Sequence, residues 1–134
     1  MQLNVTTDYA IRSLLYITAH SKPVTSTEIS EAMTIPQSYL IAILAKLKKA
    51  GLITSRRGNT GGYSLLKQPE TVSLLEIIEV MEGEARINRC PEGEENCSCF
   101  PAADCPVRSA YRMIQRNFEE SLRSVPLRSL CDSL

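Results

Sequence analysis

The sequence predicts a mainly α-helical fold that contains one small β-hairpin and ends in a long helix. Three observations predict it. Apolar residues recur at helical spacing through the first 50 residues. Two short strand-like runs then flank a glycine-rich turn. After residue 104, a single apolar stripe continues at the helical period.

Three helices are predicted before the turn. The first covers residues 7–21 and ends before Pro23, because a proline disfavours helical geometry in the preceding residue. Thr25 and Glu28 form a capping-box pattern that opens the second helix, to about residue 33. Pro36 starts the third, and Gly51 stops it. The predicted inward-facing residues are Ile11, Leu14, Leu15, Thr18 and Ala19, then Ile29, Ala32 and Met33, then Leu40, Ile43, Leu44 and Leu47.

A β-hairpin and a further helix are predicted next. Residues 52–57 and 63–66 have the strand pattern, and the glycine-rich run at 58–62 forms the turn between them. Ser73 and Glu76 repeat the capping-box pattern and open a helix that Gly83 closes. Three helices followed by a hairpin are the outline of a winged helix-turn-helix domain.

The long C-terminal helix carries one apolar stripe, and we expect Asp104 to be its N-cap. A helix that leaves a small domain with one apolar face usually packs on a partner, so we expect a homodimer with this as the dimerisation helix. The alternative is that it folds back on its own domain, because periodicity does not report what covers a face. The stripe consists of Val107, Ala110, Tyr111, Ile114, Phe118 and Leu122.

The expected organisation has three parts. Residues 1–83 form the winged helix-turn-helix domain with its following short helix, 84–103 form a cysteine-rich loop, and 104–134 contain the dimerisation helix and a C-terminal tail. The N-terminus lacks the pattern of a signal peptide, and no apolar run reaches membrane-spanning length. We therefore expect no membrane partner and a cytoplasmic location.

Charge is unevenly distributed along this chain of zero net charge. Residues 43–67 contain six basic side chains and no acid, whereas residues 70–95 contain eight glutamates and two arginines. The basic stretch coincides with the third predicted helix and the hairpin. A basic patch on such a fold suits a nucleic-acid backbone.

The third helix and the hairpin carry the candidate DNA-binding residues. In a helix-turn-helix the third helix enters the major groove, where small and apolar side chains approach base edges. Lysines at its end suit phosphates, and an arginine on the wing can enter the minor groove. The alternative is a solvated face whose lysines only stabilise the helix dipole. The candidates are Gln37, Ser38, Tyr39, Ile41, Ala42, Lys46, Lys48, Lys49, Arg56, Arg57 and Gly61.

Four cysteines, Cys90, Cys97, Cys99 and Cys105, lie within sixteen residues. In a reducing compartment such a group predicts iron–sulfur, zinc, copper or thiol-exchange chemistry before structural disulfides. The spacing is not that of a zinc ribbon. Cys97 and Cys99 are separated by one residue and point in opposite directions in an extended loop, so we expect three cysteine ligands and a fourth from elsewhere. A disulfide switch and incidental thiols are the alternatives.

The sequence resembles a family of winged-helix, dimeric iron–sulfur transcription regulators that includes IscR, NsrR and RirA. The resemblance runs from residue 1 to about residue 130. It is carried by Thr-Asp-Tyr-Ala at 7–10, Ser-Tyr-Leu at 38–40, Arg-Gly-x-x-Gly-Gly-Tyr at 57–63, and three spaced cysteines before the long helix. It implies a homodimer that binds double-stranded operator DNA and a 2Fe–2S or 4Fe–4S cluster. It also implies that iron limitation, oxygen or nitric oxide changes operator affinity.

The resemblance implies a set of cysteine ligands. Cys90 and Cys105 match the first and last ligands of the family, and the family's spacing selects Cys99 over its competitor Cys97. Cys105 is expected in the first turn of the long helix, where the dipole favours a thiolate.

The fourth ligand differs between branches of that family. The IscR-like branch uses a histidine three residues after the last cysteine, where this chain has Arg108. The NsrR-like branch uses an aspartate in the first helix of the other subunit, and Asp8 occupies that place. The alternative for Asp8 is a helix N-cap. Ile41 and Ala42 replace the glutamate and glutamine with which the IscR-like branch reads bases, so a different operator is expected.

Two rivals to this interpretation remain open. One is a zinc- or thiol-based regulator on the same fold. The other is a small ferredoxin-like electron carrier, which would need no basic recognition helix. No constellation of base, nucleophile and oxyanion donors is apparent, so we do not expect an enzyme.

Overall fold

The computed structural model describes residues 2–87 and 105–133. Within these ranges the chain forms six helices and one two-stranded antiparallel sheet, which confirms the predicted mainly α-helical fold. The elements are α1 Val5–Ala19, α2 Ser26–Met33, α3 Gln37–Lys49, β1 Ile53–Arg56, β2 Gly62–Leu65, α4 Leu74–Glu82, α5 Pro106–Arg123 and α6 Leu127–Cys131. None of these helices is long and apolar enough to cross a membrane.

The core lies between α1, α3, α4, α6 and the hairpin. All four predicted inward-facing residues of α3 are buried. The predicted inward face of α1 was partly wrong. Ala19 is exposed, and Leu14 is the one predicted residue among the five that α1 buries. Small side chains let α1 lie close to its neighbours, so they mark the contact better than the larger residues beside them. The buried residues of α1 are Thr7, Ala10, Ser13, Leu14 and Ile17.

The second helix begins with the predicted capping box. The Thr25 hydroxyl accepts from the Glu28 N–H at 3.2 Å, and the Glu28 carboxylate accepts from the Thr25 N–H at 2.6 Å. Hydrogen bonding to Thr25, first of all from its backbone N–H, holds the pKa of the Glu28 carboxyl below its ordinary value. The helix ends at Thr34, whose φ of 53° lies in the left-handed region. Ala32, predicted to face inward, is exposed, because this short helix buries only its Ile29 side.

The hairpin pairs Ile53 with Leu65 and Arg56 with Gly62. Its turn requires glycine at residue 61, where a Cβ atom would lie 2.2 Å from the Arg56 carbonyl oxygen. Val24 and Tyr63 exchange two backbone hydrogen bonds, of 3.0 and 2.7 Å, which tie β2 to the connection between α1 and α2. The wing is therefore held against the helical part of the domain.

The fourth helix begins and ends where the sequence predicts. The Ser73 hydroxyl accepts from the Glu76 N–H at 3.2 Å, and Gly83, with φ +87°, ends the helix. The predicted capping box is only half formed, because the Glu76 carboxylate pairs with Lys67 instead of returning to the cap. That ion pair ties α4 to the end of the hairpin.

The long helix begins one residue later than predicted. Cys105 is the N-cap and Pro106 takes the first helical position, so Asp104, which lies outside the described residues, is not the cap and Cys105 is not within the first turn. The predicted stripe divides into two parts. Phe118 and Leu122 pack on Leu75 and Ile78 of α4. The residues nearer the N-terminus remain exposed: Val107, Ala110, Tyr111 and Ile114.

The chain then returns to the core through α6, which was not predicted. Leu127 is fully buried, and its N–H donates to the Val72 carbonyl at 2.7 Å. Arg128 pairs with Glu70 at 2.8 Å. Helix α6 is thus packed against the winged-helix domain.

Candidate nucleic-acid interface and sulfur site

The outward face of α3 presents the residues predicted to approach bases. Gln37, Ser38, Tyr39, Ile41 and Ala42 are all exposed, Ile41 to 49%. Leu40 and Leu44 on the other side of the helix anchor it in the core. An exposed isoleucine on a helix whose opposite side is buried is available for contact with another molecule.

Two of these residues are held by neighbours. The Gln37 side-chain amide donates to the Ser26 hydroxyl at 2.9 Å, which links the start of α3 to the start of α2. The Tyr39 ring stands edge-on to Tyr9, with 6.1 Å between ring centroids, and remains half exposed. Together these contacts hold the first turn of α3 against α1 and α2.

The three lysines at the end of α3 differ in their surroundings. The Lys46 ammonium donates to the Met81 carbonyl at 2.7 Å, and the Lys48 ammonium donates to the Ser55 hydroxyl at 2.6 Å. Lys49 is exposed at the end of the helix. The sequence pattern treated them alike, whereas two of them connect α3 to α4 and to β1.

The wing exposes two consecutive arginines where β1 leads into the turn. Arg56 ends β1 and Arg57 follows it, and both are exposed. Gly61 allows the turn to fold tightly over Arg56, as the 2.2 Å separation for a Cβ atom shows. The basic stretch predicted from sequence thus includes exposed cations on both the helix and the wing.

A cleft of about 490 Å³ lies between α1, α3 and the end of α4. Its wall is mostly apolar. The lining residues are Thr6, Ser38, Tyr39, Ala42, Ile43, Lys46 and Met81. The sequence did not predict this cleft, because its walls come from three separate segments.

Of the four clustered cysteines, the structure describes Cys105. It is half-exposed at the N-cap of α5, and the first turn of that helix contains no acidic residue. Cys90, Cys97 and Cys99 lie outside the described residues. Within residues 2–87 and 105–133, no group of three His, Cys, Asp or Glu side chains is placed to hold a metal ion.

Asp8 lies in the first turn of α1. Its carboxylate pairs with Arg12 at 2.7 Å, and its side chain is 59% exposed. The alternative role as N-cap is wrong, because Asn4 takes that position. Arg12 also donates to the Met33 carbonyl at 3.0 Å and lies over the Tyr9 ring, which in turn contacts Tyr39 of α3. Asp8 therefore belongs to a polar cluster near the start of α3.

Two groups near the ends of the cysteine segment were missed by sequence reasoning. Arg108, one turn into α5, is only 6% exposed. Gln115 hydrogen-bonds to the backbone of the segment that leads to the first cysteine, through the Ala85 carbonyl and the Ile87 N–H. The sequence pattern of this helix gave no signal that Arg108 is buried or that Gln115 holds this backbone.

Cys131 lies in α6, away from this region. Burial raises the pKa of its thiol.

Comparison with known proteins identifies the family. The family described as Rrf2, iron-dependent transcriptional regulator, matches residues 3–133. The HTH-type transcriptional regulator IscR of Xenorhabdus nematophila is 30% identical over 132 residues, which cover 97% of this chain and 79% of that protein. The HTH-type transcriptional repressor NsrR of Streptomyces coelicolor is 30% identical over 125 residues, which cover 91% and 82%.

The fold is also that of a solved regulator. The structure of CymR, the global cysteine regulator of B. subtilis, superposes with a TM-score of 0.82 at 22% identity and covers 100% of this chain and 98% of that one. The family and these relatives are transcriptional regulators and not enzymes. The predicted family resemblance is therefore confirmed: the chain belongs to the Rrf2 family of DNA-binding transcriptional regulators.

Proposed function

We propose that this regulator is controlled by an iron–sulfur cluster held by Cys90, Cys99 and Cys105, with Asp8 of the other subunit as the fourth ligand. The observation that carries the proposal is the position of Cys105. It lies half-exposed at the N-terminus of an 18-residue helix whose first turn has no acid. The positive end of the helix dipole suits a site that holds a negatively charged group such as a cluster with its sulfur ligands.

The chemistry of the donor set fits such a cluster. Three closely spaced thiolates are the ligands that iron–sulfur clusters use, and one carboxylate among them would be the weakest link. The exposure of Asp8 and its pairing with Arg12, an exchangeable surface contact, are compatible with a role in another subunit. When bound, the cluster supplies an iron centre that oxygen, nitric oxide or iron limitation can alter.

The second part of the proposal is a homodimer. Val107, Tyr111 and Ile114 are the exposed N-terminal part of the apolar stripe on α5, whose C-terminal part packs on α4. A helix whose own domain covers only part of its apolar stripe suits a symmetric contact with a second copy. A dimer would place two recognition helices on two half-sites of an operator.

The third part concerns DNA contacts. The exposed face of α3, with Ser38, Ile41 and Ala42, would enter the major groove, and Lys49 and Arg57 would contact phosphates or the minor groove. Gln37 and Tyr39 are held by neighbours and would position the start of the helix. Lys48 and Arg56 would support or extend the phosphate contacts from the wing side. The protein would act on operator DNA in the cytoplasm.

A thiol- or zinc-based regulator is the second candidate. It is favoured by the fold shared with CymR, whose name describes a cysteine regulator. The four clustered cysteines would then respond by disulfide exchange or zinc binding instead of iron chemistry. A small electron carrier has no such support, because the relatives are regulators.

Anaerobic reconstitution with iron and sulfide tests the proposal. The expected result is visible absorption from thiolate-to-iron transitions, and an operator affinity that differs between loaded and stripped protein. Absence of that absorption, with an affinity that instead follows reversible thiol oxidation or zinc, would favour the second candidate. Equal affinity of loaded and stripped protein would contradict control by a cluster.

The dimer has its own test by analytical ultracentrifugation. Ile114→Glu places a charge on the exposed apolar face and should convert dimer to monomer. Arg116→Glu is the matched control, because residue 116 lies two positions further, about 200° around the helix. A dimer that survives Ile114→Glu unchanged would show that this face is not the interface.

A further inference from the structure

The last turn of α4 is joined to α3, the proposed recognition helix, by a side-chain to backbone hydrogen bond. The Lys46 ammonium, near the end of α3, donates to the Met81 carbonyl at 2.7 Å. Carbonyls in the last turn of a helix have no partner within the helix, and a cation is favoured there by the dipole. Lys46 therefore satisfies a group of α4 that would otherwise depend on water.

The same turn is also joined to the first helix. One carboxylate oxygen of Glu82 accepts from the Asn4 N–H at 2.9 Å and from the Thr7 hydroxyl at 2.7 Å. An acceptor at a helix N-terminus satisfies N–H groups that have no partner within the helix. Met81 and Glu82, at the end of α4, thus contact the end of α3 and the start of α1.

Packing around this joint is open. Lys46 and Met81 both line the 490 Å³ cleft between α1, α3 and the end of α4. On their inner sides α3 and α4 share the hydrophobic core, whereas at the cleft they are joined by the few contacts that span it. The Lys46 contact is one of these.

The residues that follow this turn contact α5. Gly83 ends α4, and Gln115 of α5 holds the Ala85 carbonyl at 2.6 Å and the Ile87 N–H at 2.8 Å. Residues 81–87 therefore contact α3 at one end and α5 at the other. A movement of α5 or of the adjoining backbone can reach α3 through this short stretch.

We propose that Lys46 is a positioning residue that couples the recognition helix to the 81–87 stretch, and not primarily a phosphate contact. The inference rests on the proposed control by a cluster. Its consequence is that Lys46 sets how strongly the loaded and stripped forms differ in operator affinity. A phosphate contact would instead change both affinities by the same factor.

The test measures operator affinity for loaded and stripped full-length protein of four kinds: wild type, Lys46→Met, Lys46→Arg and Lys49→Met. A typical allosteric coupling makes the wild-type affinities differ by about 5- to 150-fold. Lys46→Met should bring this ratio close to one, and Lys46→Arg, which keeps a donor, should restore it. Lys49→Met should lower both affinities and leave the ratio unchanged.

Amide hydrogen exchange on stripped protein supplies a measurement that involves no cluster. Lys46→Met should accelerate exchange at residues 81–87, and Lys49→Met should not. If Lys46→Met keeps the wild-type ratio of loaded to stripped operator affinity, the role of Lys46 is overturned and the proposed function stands. A wild-type ratio of one would overturn the proposed function and this coupling with it.

Discussion

The side-chain amide of Gln115 makes two hydrogen bonds to the backbone that ends at Ile87, one as acceptor and one as donor. Its oxygen accepts from the Ile87 N–H at 2.8 Å, and its nitrogen donates to the Ala85 carbonyl at 2.6 Å. Glu119, one turn further along α5, accepts from the same nitrogen at 2.7 Å and orients it. One side chain thus holds the backbone at the point where the chain enters the cysteine segment.

Replacing Gln115 by Leu should therefore destabilise the protein and loosen this segment. Leucine leaves the Ala85 carbonyl and the Ile87 N–H without their partner, which costs about 1–3 kcal/mol when such groups are partly buried. Urea unfolding measures the loss, and hydrogen exchange at Ile87 locates it. Asn117→Ala, at an exposed position of the same helix, is the control. Unchanged exchange at Ile87 would contradict the clamp.

Replacing Arg57 by Ala should weaken operator binding and reduce its salt dependence. Each lost phosphate contact removes about 0.9 from the slope of log affinity against log salt concentration. Binding titrations over a range of salt concentrations measure that slope. Arg116→Ala removes a cation outside the basic stretch and should leave the slope as it is. If Arg57→Ala has the wild-type slope, this arginine does not contact a phosphate.

Replacing Cys99 by Ser should abolish the reconstituted cluster, whereas Cys97→Ser should retain it. The two residues are separated by one position and face opposite ways in an extended chain, so only one is expected to serve the site. Visible absorption and iron content after anaerobic reconstitution distinguish them. The reverse pattern would exchange the two assignments, and two unaffected variants would argue against both.

Replacing Gly61 by Ala should distort the wing. The new Cβ would lie 2.2 Å from the Arg56 carbonyl oxygen, so the turn must open and the arginines must move. Overpacking of this kind costs about 1–3 kcal/mol. Thermal unfolding and operator titration should both show a loss, whereas Thr60→Ala, at an exposed position in the same turn, should show little. Wild-type affinity in Gly61→Ala would remove the wing from the proposed interface.

Acid should weaken the attachment of α6. The hydrogen bond from Arg128 holds the pKa of Glu70 below its ordinary value of 4.5. A carboxyl whose pKa is lower in the folded state stabilises that state above its unfolded pKa, and this stabilisation is lost as pH falls through the folded value. Glu70→Gln should therefore lower the unfolding midpoint at neutral pH but not well below pH 4.5. An equal decrease at both would exclude this charge effect.

Local sequence signals were sufficient for most of the helices and for the hairpin. The capping box at Thr25, the stop at Gly51 and the run around Gly61 act through neighbouring backbone, so they are readable without knowledge of the rest of the fold. The start of α5 was misjudged, because Asp104 is a favoured N-cap residue type, whereas Pro106 at the first helical position leaves Cys105 as the cap without a side-chain hydrogen bond. The candidate DNA-facing side of α3 was equally readable, since its opposite side is plainly apolar.

The sequence by itself determined the order of the elements from α1 to α5, the buried side of α3 and the family. Tertiary structure decided which partner each side chain found. Lys46 and Lys48 are alike in sequence, but one donates to α4 and the other to β1. The apolar stripe of α5 is continuous in sequence, but only Phe118 and Leu122 meet their own domain. The physical reason is that periodicity and charge indicate which side chains require burial or a polar partner. Only the packing of distant segments determines which residues provide that burial or that partner.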